Sequence, residues 1–63
     1  MDIDKGKYYT DNSDLIIQIH VIHYKAEDYI KCKASLIEKY KGQIVETKNY
    51  KIYYRNIKHW KPY

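Results

Sequence analysis

Cysteine occurs once in these 63 residues, as Cys32, so no disulfide can form within the chain. Proline also occurs once, at Pro62, glycine only at Gly6 and Gly42, and phenylalanine not at all. No apolar run approaches the ~20 residues that a membrane-spanning helix needs. With a lone thiol and no signal-peptide pattern, the expectation is a soluble, cytoplasmic protein without a membrane partner. A P-loop, paired glycines and an acidic dyad in apolar surroundings are all missing, and with them the common phosphate-cradling and acid–base sites. A domain this short buries only about 60% of the surface its unfolded chain exposes. Ordering costs roughly 1.5 kcal/mol per residue, so burial and entropy nearly cancel. Without disulfides to help, dense aromatic packing or self-association must supply the margin, and a homodimer is expected.

What the chain does have is centred on Leu15 to Tyr24, LIIQIHVIHY, a stretch free of glycine, proline and acids. Its odd positions, Leu15, Ile17, Ile19, Val21 and His23, make one nearly apolar face, the pattern of a strand covering a core. Its even positions, Ile16, Gln18, His20, Ile22 and Tyr24, are mixed. Such a strand needs a neighbour on each side.

Taken in order, residues 1–6 of the single domain 1–63 are expected to fray, with Gly6 marking entry into the fold. Asp2 and Asp4 are spaced as at the start of a calcium loop. Lys5 occupies the next ligand position, so they read as solvated acids. Tyr8, Tyr9 and Thr10 form a short β-prone run, and Asp11-Asn12-Ser13-Asp14 is a turn whose side chains can bond nearby amides. A first hairpin follows.

Tyr29 to Lys41 admits two readings. As a strand, Ile30, Cys32, Ala34 and Leu36 point inward while Lys31, Lys33 and Ser35 point outward. As a helix over about 26–41, Ala26, Tyr29, Ile30, Ile37 and Tyr40 share a stripe, but Lys33 falls in its middle. The strand is preferred. Lys41-Gly42 makes a turn, and Gln43 to Thr47 is another strand. Beyond Asn49 the apolar spacing shifts to three and four through Tyr50, Tyr53, Tyr54, Ile57 and Trp60, with Lys51, Arg55, Lys58 and His59 opposite. A short C-terminal helix capped by Asn49 follows; the competing reading is a strand from Tyr50 to Tyr54.

The formal net charge of +4 and nine tyrosines invite a nucleic-acid reading, because lysines meet phosphates and rings stack on bases. Lys, Ile, Tyr and Asn, however, make up 33 of the 63 residues. All four are spelled by A/T-rich codons, which accounts for the same composition. Eleven lysines against one arginine also argue against bidentate base or phosphate recognition.

The order of signals is a Gly-x-Tyr-Tyr opening at Gly6 to Tyr9, a polar turn, a long strand and Asp28-Tyr29-Ile30-Lys31-Cys32-Lys33. A glycine turn, Gln43-Ile44-Val45-Glu46 and an aromatic segment ending in Trp60 complete it. This order resembles small SH3-like β-barrel proteins encoded by phages and mobile elements of A/T-rich bacteria. The resemblance implies a stoichiometric role, occluding a host protein or defence complex; fold analogy alone does not license function.

Catalysis requires a nucleophile, a base and an orienting group in a cleft. Cys32 faces the core in the strand reading, where a small thiol is ordinary. His20 and His23 fall on opposite strand faces, which disfavours a shared metal. A non-enzymatic protein without cofactor or metal is therefore expected. Its architecture is a small, mainly β antiparallel meander curled toward an SH3-like barrel with a short C-terminal helix, the alternative being α+β. Its partner is a host protein, or nucleic acid as the alternative. The candidate binding residues are Lys51, Tyr54, Arg55, Lys58, His59 and Trp60.

Overall fold

The computed structural model describes residues 3–63; Met1 and Asp2, which belong to the expected frayed start and the acid pair, lie outside them. Five strands form one antiparallel sheet: β1 (Tyr8–Thr10), β2 (Leu15–Lys25), β3 (Tyr29–Glu38), β4 (Ile44–Tyr53) and β5 (Lys61–Pro62). Their order is β4-β3-β2-β1-β5. The central hairpin is the run without breakers: β2 pairs with β1 through Tyr9↔Ile17 and with β3 through Ile19↔Ala34. Strand β3 takes the alternation expected of it, with Ile30, Cys32 and Ala34 buried and Lys31 and Lys33 exposed. No helix forms over 26–41.

Turn chemistry sets the connections. The Ser13 amide donates to Asp11 Oδ1 at 2.9 Å and the Leu15 amide to Ser13 Oγ at 3.2 Å, closing the β1–β2 turn. Gly42 adopts φ 68° between β3 and β4, a conformation glycine enters without a Cβ penalty.

One face of the sheet is covered. Ile17 and Ile19 of β2, Ile30, Cys32 and Ala34 of β3, and Ile52 of β4 pack with Tyr9, Ile3 and Ile57. Tyr54 and Trp60 pack against that cluster. Of the opening residues, Ile3 is fully buried, and the Gly6 amide donates to the Ile19 carbonyl at 2.7 Å. The chain ends thus lie across the sheet and supply the second layer that a five-stranded sheet lacks by itself.

The order, with β4 and β5 at the two edges, is that of the expected antiparallel meander. One expectation is corrected. The C-terminal helix is replaced by the end of β4 followed by a single 3₁₀ turn, Tyr54–Asn56. The reason is tertiary. Strand β3 pairs with β4 from Ile37↔Ile44 to Tyr29↔Tyr53, and this ladder outweighs a weak local helical spacing. In β4, Tyr50 and Ile52 enter the core at a strand period, and Ile57 and Trp60 reach the same core from irregular backbone.

Candidate functional site

The other face of the sheet is open except around Thr10, Ile16 and Ser35, which are buried, and its make-up follows from register. Residues directly opposite one another in a ladder share a face. The pairs Tyr8↔Gln18, Gln18↔Ser35, Ser35↔Thr47, Val21↔Lys33, Lys33↔Asn49, Tyr24↔Lys31, Lys31↔Lys51 and Tyr29↔Tyr53 therefore line it. Register shifts between Ile19 and Val21 and between Ile22 and Tyr24 leave His20 and His23 as extra residues, the signature of β-bulges. Both imidazoles consequently reach this open face, correcting the expectation that they lie on opposite sides. His20 Nε2 is 2.6 Å from Ser35 Oγ, and His23 Nε2 is 3.0 Å from Asn49 Oδ1. Ser35 Oγ is in turn 2.6 Å from Thr47 Oγ1, so a polar ladder runs across three strands. Among the described residues no group of three or more His, Cys, Asp or Glu side chains is placed to hold a metal ion.

At the end of this face near the β2–β3 turn, aromatic and cationic groups gather. The rings of Tyr24 and Tyr29 lie 6.1 Å apart, and those of Tyr29 and Tyr53 5.6 Å. Lys51 Nζ sits 4.5 Å from the Tyr29 ring centre and 5.2 Å from that of Tyr53. The Arg55 guanidinium carbon lies 4.9 Å from the Tyr53 ring centre. A hydrogen bond to Tyr53, followed by nearby negative charge, holds the Lys51 ammonium above the ordinary lysine value. It is therefore a full positive charge at neutral pH.

Charge is segregated across the sheet. The strands carry two carboxylates among the described residues, Glu38 and Glu46. Both stand opposite leucines on the covered-face side, in the pairs Leu15↔Glu38 and Leu36↔Glu46. Lys31, Lys33 and Lys51 all project from the open side. Lysine beside lysine across a ladder is unfavourable, yet Lys31 stands directly opposite Lys51.

The expected site residues divide. Lys51 and Arg55 meet around Tyr53. Lys58 and His59 are exposed, and His59 lies within electrostatic reach of Asp11 at the β1–β2 turn, away from Lys51. Tyr54 packs against the core, and Trp60 stacks on Tyr9 with ring centres 6.5 Å apart; both rings are partly buried. Sequence reasoning did not gather Tyr24, Tyr29, Tyr53, Lys31 and Lys33: Tyr29, Lys31 and Lys33 were visible only in the alternation of β3, and Tyr24 and Tyr53 belong to β2 and β4.

Cys32 is fully buried, and burial raises its thiol pKa, the opposite of what a nucleophile needs. The recess between the β1–β2 turn and Trp60 has a volume of about 90 Å³, below the ~300 Å³ at which small-molecule sites begin, while two open grooves elsewhere reach about 300 and 350 Å³. No helix among the described residues is long and apolar enough to cross a membrane. The chain matches no known family model, no curated protein and no solved structure.

Proposed function

We propose that the protein is a non-enzymatic binding module that holds single-stranded nucleic acid across the open face of its sheet. The observation that carries this reading is the segregation of charge. Lys31, Lys33 and Lys51 share a face with no strand carboxylate among the described residues, beside the rings of Tyr24, Tyr29 and Tyr53. A basic track that follows phosphates, next to rings that stack on bases, is what sequence-tolerant single-strand binding requires. Tyr24, 55% exposed, is the outermost ring and the first stacking surface. Lys51 leaves its position over the tyrosines to meet a phosphate.

Fluorescence anisotropy with a labelled oligonucleotide tests the proposal. If Lys31, Lys33, Lys51 and Arg55 each neutralise one phosphate, log affinity falls with log salt at a slope of about −2.8, from −0.7 per contact. Between 50 and 200 mM salt that is a loss of roughly 50-fold. Replacing Lys31 and Lys33 by alanine should flatten the slope by about 1.4. Absence of binding at 50 mM salt refutes the reading.

A second reading, occlusion of a host protein or defence complex, is favoured by a shallow groove at the opposite end of the sheet. It has a volume of about 300 Å³ and is lined by Asp14, Leu15, Glu38, Tyr40 and Lys41. The Tyr40 ring there is 84% exposed, and exposed tyrosines are frequent interface anchors. Capture of one stoichiometric protein from nuclease-treated lysate, lost in Tyr40→Ala, would favour this reading over the first.

A further inference from the structure

The two edges of the sheet are unequal. Strand β5 contributes two residues, one of them Pro62, which has no amide hydrogen to offer. Strand β4 runs ten residues with its outer side unpaired, and Ile44 to Asn49 are all exposed. A long free edge is a template for another strand.

We infer that β4 pairs antiparallel with β4 of a second copy of this chain, about a two-fold axis at Thr47. The register follows from the side chains. A two-fold axis normal to the sheet keeps each face on its own side, so paired residues must share a face and the axis must pass through a residue. Of the registers this permits, the one centred on Thr47 places Glu46 of each copy opposite Lys48 of the other. No other permitted register sets Glu46 against a β4 lysine. These two side chains already attract along the strand, with Lys48 Nζ 2.9 Å from Glu46 Oε1, and the hydrogen bond to Glu46 raises the Lys48 pKa. The same register sets Thr47 against Thr47, a favourable cross-strand pair, and the regular pairing stops where Val45 shifts the register of β4. No lysine stands opposite a lysine in this register. Thr47 also carries the polar ladder through Ser35 to His20, and the axis joins the two ladders into one. The result is an isologous dimer in which two open faces become a single ten-stranded surface.

Sedimentation equilibrium across a concentration series tests this, using wild type, Glu46→Lys and Lys48→Glu. Both positions are exposed, so both variants should fold with an unchanged circular dichroism spectrum. Each single variant places like charges across the axis twice and should weaken self-association at least tenfold. Mixed in equal amounts, the all-lysine and all-glutamate edges become complementary and should form a heterodimer. A wild type that stays monomeric at millimolar concentration overturns the inference. So do single variants that associate like wild type, or a mixture that fails to pair. None of these outcomes depends on nucleic acid, so the dimer and the binding reading stand or fall separately.

Discussion

The most exacting test of the fold is Ile57→Ala. Ile57 belongs to no strand, yet it is only 5% exposed and sits in the central cluster with Ile3, Ile19 and Ile30. Truncating a buried isoleucine to alanine removes about 2–5 kcal/mol, the loss of transfer energy plus the cavity left behind. Total stability at 63 residues is on the order of 3–9 kcal/mol by the usual per-residue figure. This one side chain therefore carries a large share of the margin. In urea, with a slope of about 1 kcal/mol per molar for a domain this small, the midpoint should fall by roughly 3 M. The melting temperature should fall by about 12–24 °C for a 3 kcal/mol loss. Lys58→Ala, one residue on and exposed, should stay within about 0.5 kcal/mol of wild type. If Ile57→Ala behaved like Lys58→Ala, the segment from Tyr54 to Trp60 would not be covering the sheet, and the two-layer architecture would be wrong.

Three further outcomes follow from single groups. The Tyr50 hydroxyl is buried without a hydrogen-bond partner, and burial, then the charge of Glu46, raises its pKa; Tyr50→Phe should therefore stabilise by about 1 kcal/mol in a urea titration, and a loss of similar size would mean that the hydroxyl is satisfied. Cys32, buried with a raised pKa, should resist a thiol reagent at neutral pH and react fully in denaturant, whereas fast labelling of the folded protein would contradict its place in the core. Asp11 is lowered below its ordinary value by hydrogen bonding from the Ser13 side chain, then from the backbone. A depressed carboxyl stabilises above its unfolded pKa and loses that contribution as pH falls through the folded value. The Ser13 amide resonance should therefore move only below about pH 4, and a flat profile, or the same profile in Asp11→Asn, would refute the assignment.

How much of this was legible in the sequence depends on what each residue answers to. The breaker-free run Leu15 to Tyr24, the polar turn before it and the strict alternation of Ile30, Cys32, Ala34 and Leu36 are local signals, and the strands formed where they pointed. The bulges at His20, His23 and Val45 have no local signal, because an extra residue exists only relative to the partner strand. That is why the two histidines were assigned to opposite faces. The spacing of Tyr50, Tyr53, Tyr54, Ile57 and Trp60 imitated a helix because β4 and the irregular segment after it meet the same core from different directions. The site was half legible for the same reason. Lys51 and Arg55 were singled out, but Tyr24, Tyr29 and Tyr53 come from three strands and are gathered only by register.

The central claim is that the open face, and not the covered one, is the working surface. Nuclear magnetic resonance with a single-stranded oligonucleotide, recorded at low and at moderate salt, addresses it residue by residue. The account predicts amide and ring shifts at Tyr24, Tyr29, Lys31, Lys33, Lys51 and Tyr53 that shrink as salt rises, with Ile3, Ile57 and Trp60 unmoved. Shifts centred on Lys58, His59 and Trp60 instead, or no shifts at low salt, would contradict it.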